Sequence, residues 1–257
     1  MLTCFVQKPA ENRGEQSLNM SNFMEFLSSA EVTASLEVLI VIGLSIIVGI
    51  LAGNSAVVVF NRMPAHWLCD YKEEPSEELK QNDRQRIKSH PWKMAFSALF
   101  ALCAINMALY DWQYAIAAII SIWALLIIAI ADKKYMIIPD QFVLLLAITA
   151  VGYVPYHSSF LSPLWGALIG GGCMLLIGIA GKLLFKKEAL GFGDVKLFAA
   201  IGFITGPFGI AIILVACSFL SCLDFAVLMI RKKVKRTDMM PLAPYAAFST
   251  TFYLVFL

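Results

Sequence analysis

The sequence predicts an all-α polytopic membrane protein, a helix bundle of about eight transmembrane spans with both termini outside. Three observations carry that prediction. Of the 257 residues, 60% are hydrophobic and the mean hydropathy is +0.76. The apolar residues fall in long blocks, not in the short alternating runs of a soluble core. The Lys and Arg residues collect in alternate connections between those blocks.

Crossing a hydrocarbon core of about 30 Å takes about 20 helical residues. Spans are accordingly expected over 36–60, 92–110, 113–131, 142–156, 163–184, 195–205, 208–230 and 241–257. Residues 1–35 form a polar amino-terminal tail. It lacks the basic region and short apolar stretch of a cleaved signal, and the 36–60 block is too long for one, so that block reads as an anchor; Met20 is an alternative start. The fourth span is short and the sixth shorter, which suits either a start upstream of Asp194 or a partial crossing inside a packed bundle. Gly49 and Gly53 in the first span, and Gly166 and Gly170 in the fifth, have the small-xxx-small spacing that lets helix backbones approach. The run Gly170-Gly171-Gly172 predicts a bend in the fifth.

Orientation follows from the basic residues, which concentrate in short cytoplasmic loops. Placing the loop 61–93 inside also places Lys133, Lys134, Lys182, Lys186, Lys187 and the Arg231 to Arg236 cluster inside. Of the 20 Lys and Arg residues, only Lys8 and Arg13, in the tail, fall elsewhere. The six cysteines are scattered without a CxxC pair, and the three histidines do not cluster. No metal site, disulfide framework or nucleic-acid partner is expected. The bilayer is the first partner.

Two carboxylates then stand out. Asp132 closes the third span and Asp194 opens the sixth, both at the inner face, and an ionisable group at the edge of a bilayer reads as functional by default. Two such groups sharing a site hold one proton between them, so the ionised member can activate a water while the protonated member stabilises an oxyanion. That is aspartyl protease chemistry. Gly191 and Gly193 are expected to give the backbone unusual dihedrals and close approach to a substrate strand. Each aspartate also has a plain reading, Asp194 as a helix N-cap after a Gly-rich turn and Asp132 as an interfacial charge balanced by Lys133 and Lys134.

The joint pattern is more specific. Asp132 is followed by Ile138-Pro139-Asp140, then one helical hairpin, then Gly191-Phe192-Gly193-Asp194-Val195-Lys196. In these residues the chain resembles the type IV prepilin peptidases, polytopic GxGD aspartyl proteases of bacterial inner membranes. The segments Asn54 to Pro64 and Pro241-Leu242-Ala243-Pro244-Tyr245 are similar to two further family segments. The resemblance implies cleavage, at the cytoplasmic face, of the basic leader of prepilin or pseudopilin precursors. It assigns Asp132 and Asp194 as catalytic and Gly191, Gly193 and Lys196 to the motif beside the approaching substrate. Asp140 is read as the N-cap of the fourth span.

Many family members carry two CxxC pairs in the first cytoplasmic loop and also methylate the new amino terminus with S-adenosylmethionine. This loop has only Cys69, so a zinc subdomain is absent and the use of S-adenosylmethionine stays open. Peptide cleavage itself needs no cofactor. Glu73, Glu74, Glu77 and Glu78 precede Lys80, Arg84, Arg86 and Lys88 in the loop, as in a short exposed helix whose charges complement its dipole. Asp224, within the seventh span, matches no family motif; it faces the bundle interior, carries a proton or lies nearer the inner interface. Two other classes compete. A proton-coupled transporter would require inverted repeats with paired broken helices, and none is visible. A presenilin-like or signal-peptide-peptidase-like protease shares GxGD but expects Tyr-Asp and Pro-Ala-Leu where this chain has Ala131-Asp132 and Pro241-Leu242-Ala243.

Overall fold

Every regular element in a computed structural model of the chain, which describes residues 30–69, 86–185, 191–232 and 240–256, is a helix. In chain order these are α1 (Ala30–Arg62), a 3-10 turn (Ala65–Leu68), α2 (Ser89–Ala108), α3 (Trp112–Tyr135), α4 (Asp140–Thr149) continued by a 3-10 stretch (Ala150–Tyr156), α5 (Ser162–Phe185), α6 (Phe192–Ile230) and α7 (Ala243–Phe256). The chain divides into two units, Met1–Ile40 and Val41–Leu257. Of the first, the described residues include only the opening of α1, and the packing below is that of the second. Residues 1–29 of the polar tail and the acidic part of the charged loop lie outside the described residues, while 30–35 already belong to α1.

Five of the described helices are long and apolar enough to cross a membrane: Ser35–Arg62, Ser89–Ala108, Trp112–Tyr135, Ser162–Leu184 and Phe192–Ile230. The chain is therefore a multi-pass membrane protein. The expected fourth span is α-helical for only 10 residues before it tightens into the 3-10 stretch that contains Pro155. The eighth corresponds to α7, at 14 residues. The expected sixth and seventh spans share α6, which breaks at Gly206 (φ 71, ψ −178) just before Pro207. Only glycine adopts that conformation readily, and Pro207 has no N–H to continue the ladder.

The break reverses the chain. An added Cβ on Gly170 of α5 would lie 2.2 Å from the carbonyl of Phe198 and 3.0 Å from Cγ1 of Ile210. In a straight helix those two residues would stand about 18 Å apart, so the arms 192–205 and 207–230 fold back beside one another. The α5 helix, by contrast, runs unbroken through Gly170-Gly171-Gly172, and the bend expected there is absent. Gly170 and Gly171 face α6, while Gly172 faces open space.

At the centre lies α3, which packs on α2, α4 and α7. Of its most apolar window 56% is buried, against 22% or less in the other four spanning helices. Small side chains at Ala115, Ala118, Ala124 and Ala131 permit this crowding. Asp111 caps its start, accepting the N–H groups of Gln113 and Tyr114 at 2.8 and 3.2 Å. At its end Lys133 and Lys134 complement the helix dipole, and Met136 (φ 57) turns the chain while donating its N–H to the Asp132 carbonyl at 2.8 Å. Buried polar groups midway are paired: Tyr153 donates to Ser121, whose hydroxyl also meets that of Thr149.

Glycines set the closest helix contacts. A Cβ on Gly166 would sit 2.0 Å from the Gly202 carbonyl and one on Gly202 2.1 Å from the Gly166 carbonyl; Gly49 and Gly53 meet the backbones of Ala101 and Ser97 as closely. Gly166→Val should therefore force α5 and α6 apart, costing about 1–3 kcal/mol. The expected readout is a lower thermal midpoint in detergent micelles, with no such drop for Gly172→Ala, where the added Cβ meets nothing within 4 Å.

Candidate active site

Helices α3 and α6 each pack on both α4 and α7. That arrangement brings Asp132 and Asp194 to one end of the bundle, near enough for their charges to interact. Asp132 is buried, only 6% exposed. Its Oδ2 accepts the N–H of Ala243 at 2.8 Å, and the N–H of Leu242 reaches the same carboxylate. These are donors at the start of α7, where backbone N–H groups lack helical partners and an anion is welcome.

Asp194 is not the N-cap that its plain reading suggested. Gly191 occupies that position, and Asp194 stands three residues in, its N–H donating to the Gly191 carbonyl at 3.1 Å. Its side chain returns to the N–H of Gly191, the half of a capping box in which the third helical residue satisfies the N-cap N–H. Cys217, on the returning arm of α6, lies within electrostatic range of Asp194.

Torsion does not explain the motif glycines. Gly191 has ordinary dihedrals (φ −71, ψ 144), and among the described glycines only Gly206 has positive φ. Gly193 is where the backbone approaches closely: an added Cβ would lie 3.1 Å from Cβ of Ile138. The neighbour is the chain's own Ile-Pro-Asp segment.

Asp140 also departs from expectation. The N-cap of α4 is Pro139, and no side chain caps it. Asp140 is the first helical residue, and both its carboxylate oxygens accept from Lys196 Nζ, at 3.0 and 2.8 Å. The Lys196 ammonium also stands 5.3 Å from the Phe192 ring centroid. Thus the two motifs that flank the aspartates are joined to each other. Asp224, left with three readings, accepts the hydroxyl of Tyr245 and so ties the returning arm of α6 to α7.

Backbone and loop contacts complete this end. Asn61 exchanges hydrogen bonds with the main chain of Ile87, at 3.0 and 2.8 Å, and Arg86 donates to the carbonyls of Phe60 and Met63. Lys134 donates to the Arg86 carbonyl. The two ends of the charged loop are therefore fixed beside α3. A cavity of about 320 Å³ opens between the start of α7 and the returning arm, lined by Ser221, Cys222, Phe225, Pro241, Leu242 and Tyr245 among others. Among the described residues no three His, Cys, Asp or Glu side chains gather to hold a metal. Cys69 alone does not fit a zinc site.

Comparison with known proteins points one way. The profile of the type IV leader peptidase family matches residues 119–227. Leader peptidase HopD of Salmonella typhimurium is 32% identical over 128 residues, covering 48% of this chain and 81% of the relative. The prepilin leader peptidase/N-methyltransferase of Aeromonas salmonicida is 29% identical over 164 residues, covering 62% of this chain and 55% of its own length. That of Pseudomonas aeruginosa is 29% identical over 143 residues, covering 54% and 48%. The chain thus spans about half the length of the larger curated relatives it matches. No solved structure matches it.

The hold on Asp132 can be tested alone. Ala243→Pro removes the donated N–H but keeps a dihedral suited to the first helical turn. Losing a partner of a buried carboxylate should lower stability by about 1–3 kcal/mol, read as a lower thermal midpoint. Ala243→Gly, which keeps the N–H, should cost less.

Proposed function

Because this chain belongs to the type IV leader peptidase family, we propose that it is a membrane-embedded aspartyl endopeptidase. Its substrate is the precursor of a type IV pilin or pseudopilin, and its product is the pilin freed of its basic leader. One observation carries the proposal: Asp132 and Asp194, from helices far apart in sequence, reach one end of the bundle within electrostatic range of each other.

In the proposed mechanism the two carboxyls share one proton. The ionised member takes a proton from water as the water attacks the scissile carbonyl, and the protonated member donates to the developing oxyanion. Asp132, held by the N–H groups that open α7, has a fixed orientation. Asp194, held by its own N-cap, faces it from α6. The site lies at the cytoplasmic face of the bacterial inner membrane, in a chain of eight spans with both termini outside. The support for that orientation is the basic company the pair keeps: Lys133, Lys134 and Lys196 lie beside it in sequence, and Arg86 is bonded through its carbonyl to Lys134.

The proposed reaction is cleavage without methyl transfer, since the only cysteine of the first loop is Cys69. No cofactor is required for it. The substitutions Asp132→Asn and Asp194→Asn should each lower leader removal by about 100-fold or more while the protein still inserts in the membrane. Full processing by either variant would refute the assignment. Mass spectrometry of mature pilin produced by this enzyme alone should show an unmodified amino terminus, and a quantitative gain of one methyl group would overturn that part.

A further inference from the structure

The Asp140–Lys196 ion pair joins the two segments that carry Asp132 and Asp194. We propose that it is a positioning device that sets the height and rotation of the first turn of α6 against the end of α3, and so the separation of the two carboxylates. The proposal rests on the peptidase reading for its kinetic consequence, and on geometry for its existence.

From Asp132 the chain reaches Asp140 through a stiff link. Met136 closes α3 in the left-handed region, and Pro139 (φ −70) fixes its own torsion and restricts that of Ile138. Asp140 therefore stands in a set relation to Asp132. On the other side Lys196 follows Asp194 by two residues on the same helix, about 200° around the axis. A rotation of α6 that moves Asp194 toward or away from Asp132 must carry Lys196 with it. The pair resists that rotation, and Gly193 against Ile138 gives it a fulcrum: the backbone of α6 meets the link so closely that an added Cβ would lie 3.1 Å from Cβ of Ile138.

Stability is a poor account of this pair. Its side chains are 36% and 34% exposed, and ion pairs so open to solvent contribute little to folding. What it supplies is register. A misplacement of about 1 Å between reacting groups can cost on the order of 100-fold in rate.

The test uses the full chain in detergent and a precursor peptide as substrate. K196A and D140A should each lower kcat by about 10- to 100-fold with KM changed by no more than about 2-fold, and thermal midpoints should stay near that of the unaltered protein. The exchanged pair D140K/K196D should recover most of the lost kcat. An exchanged pair no better than the single variants although it melts normally, or a single variant with undiminished kcat, overturns the proposal. A second measurement needs no cleavage. In a chain otherwise free of cysteine, D132C/D194C should be joined readily by a short thiol-reactive cross-linker, and adding K196A should slow that joining several-fold; an unchanged rate refutes the positioning role. If the unaltered chain cleaves no precursor at all, the peptidase reading fails while the cross-linking rate still decides the pair.

Discussion

A buried carboxylate and the start of a helix satisfy one another here, Asp132 accepting the N–H of Ala243 at 2.8 Å across 111 residues of sequence. Neither group is stable alone at that place. An ionised side chain taken out of water costs several kcal/mol unless it is hydrogen-bonded, and the first N–H groups of a helix have no partners inside it. Their meeting fixes where α7 begins, and α7 then holds the returning arm of α6 through Tyr245 and Asp224. The position of that arm in turn governs what surrounds Asp194.

The hydropathy blocks made the helices legible, because a span announces itself in about 20 consecutive residues. The break between the sixth and seventh spans was legible for the same reason, with Gly206-Pro207 marking it. The paired aspartates were legible through charge at the edge of apolar blocks and through short motifs around them. Interactions that join distant segments were not. Lys196 and Asp140 each had a sufficient local explanation, as a motif lysine and as a helix cap, so nothing pointed from one to the other. Ala243 contributes a backbone N–H, which no residue type reveals.

The glycines show how one residue type carries different arguments. Gly206 is needed for its torsion; Gly166 and Gly202 are needed because a Cβ would strike a neighbouring backbone, and Gly193 lies tight against the Ile138 side chain. Sequence alone offered unusual dihedrals and close approach for Gly191 and Gly193; neither has positive φ, and of the two only Gly193 meets another segment closely. Gly170 served packing, as its spacing suggested, while the adjoining run of three left α5 unbroken. Asp224 had no motif to assign it, and its partner came from a segment 21 residues on.

The reversal at Gly206 has a consequence for the lipid. The arm 192–205 rises only about 20 Å, short of a hydrocarbon core of about 30 Å. Its tip is covered by protein: the backbone of Gly206 packs against the Ser162 hydroxyl and the His157 ring, so irregular main chain is tolerated at that depth. Along its whole length, from Gly193 to Gly206, every residue is buried or only partly exposed, so neighbouring helices and not lipid surround the short arm. The arm that carries Asp194 is thus insulated from the bilayer by its own protein, and a change in lipid thickness can reach it only through the helices that enclose it.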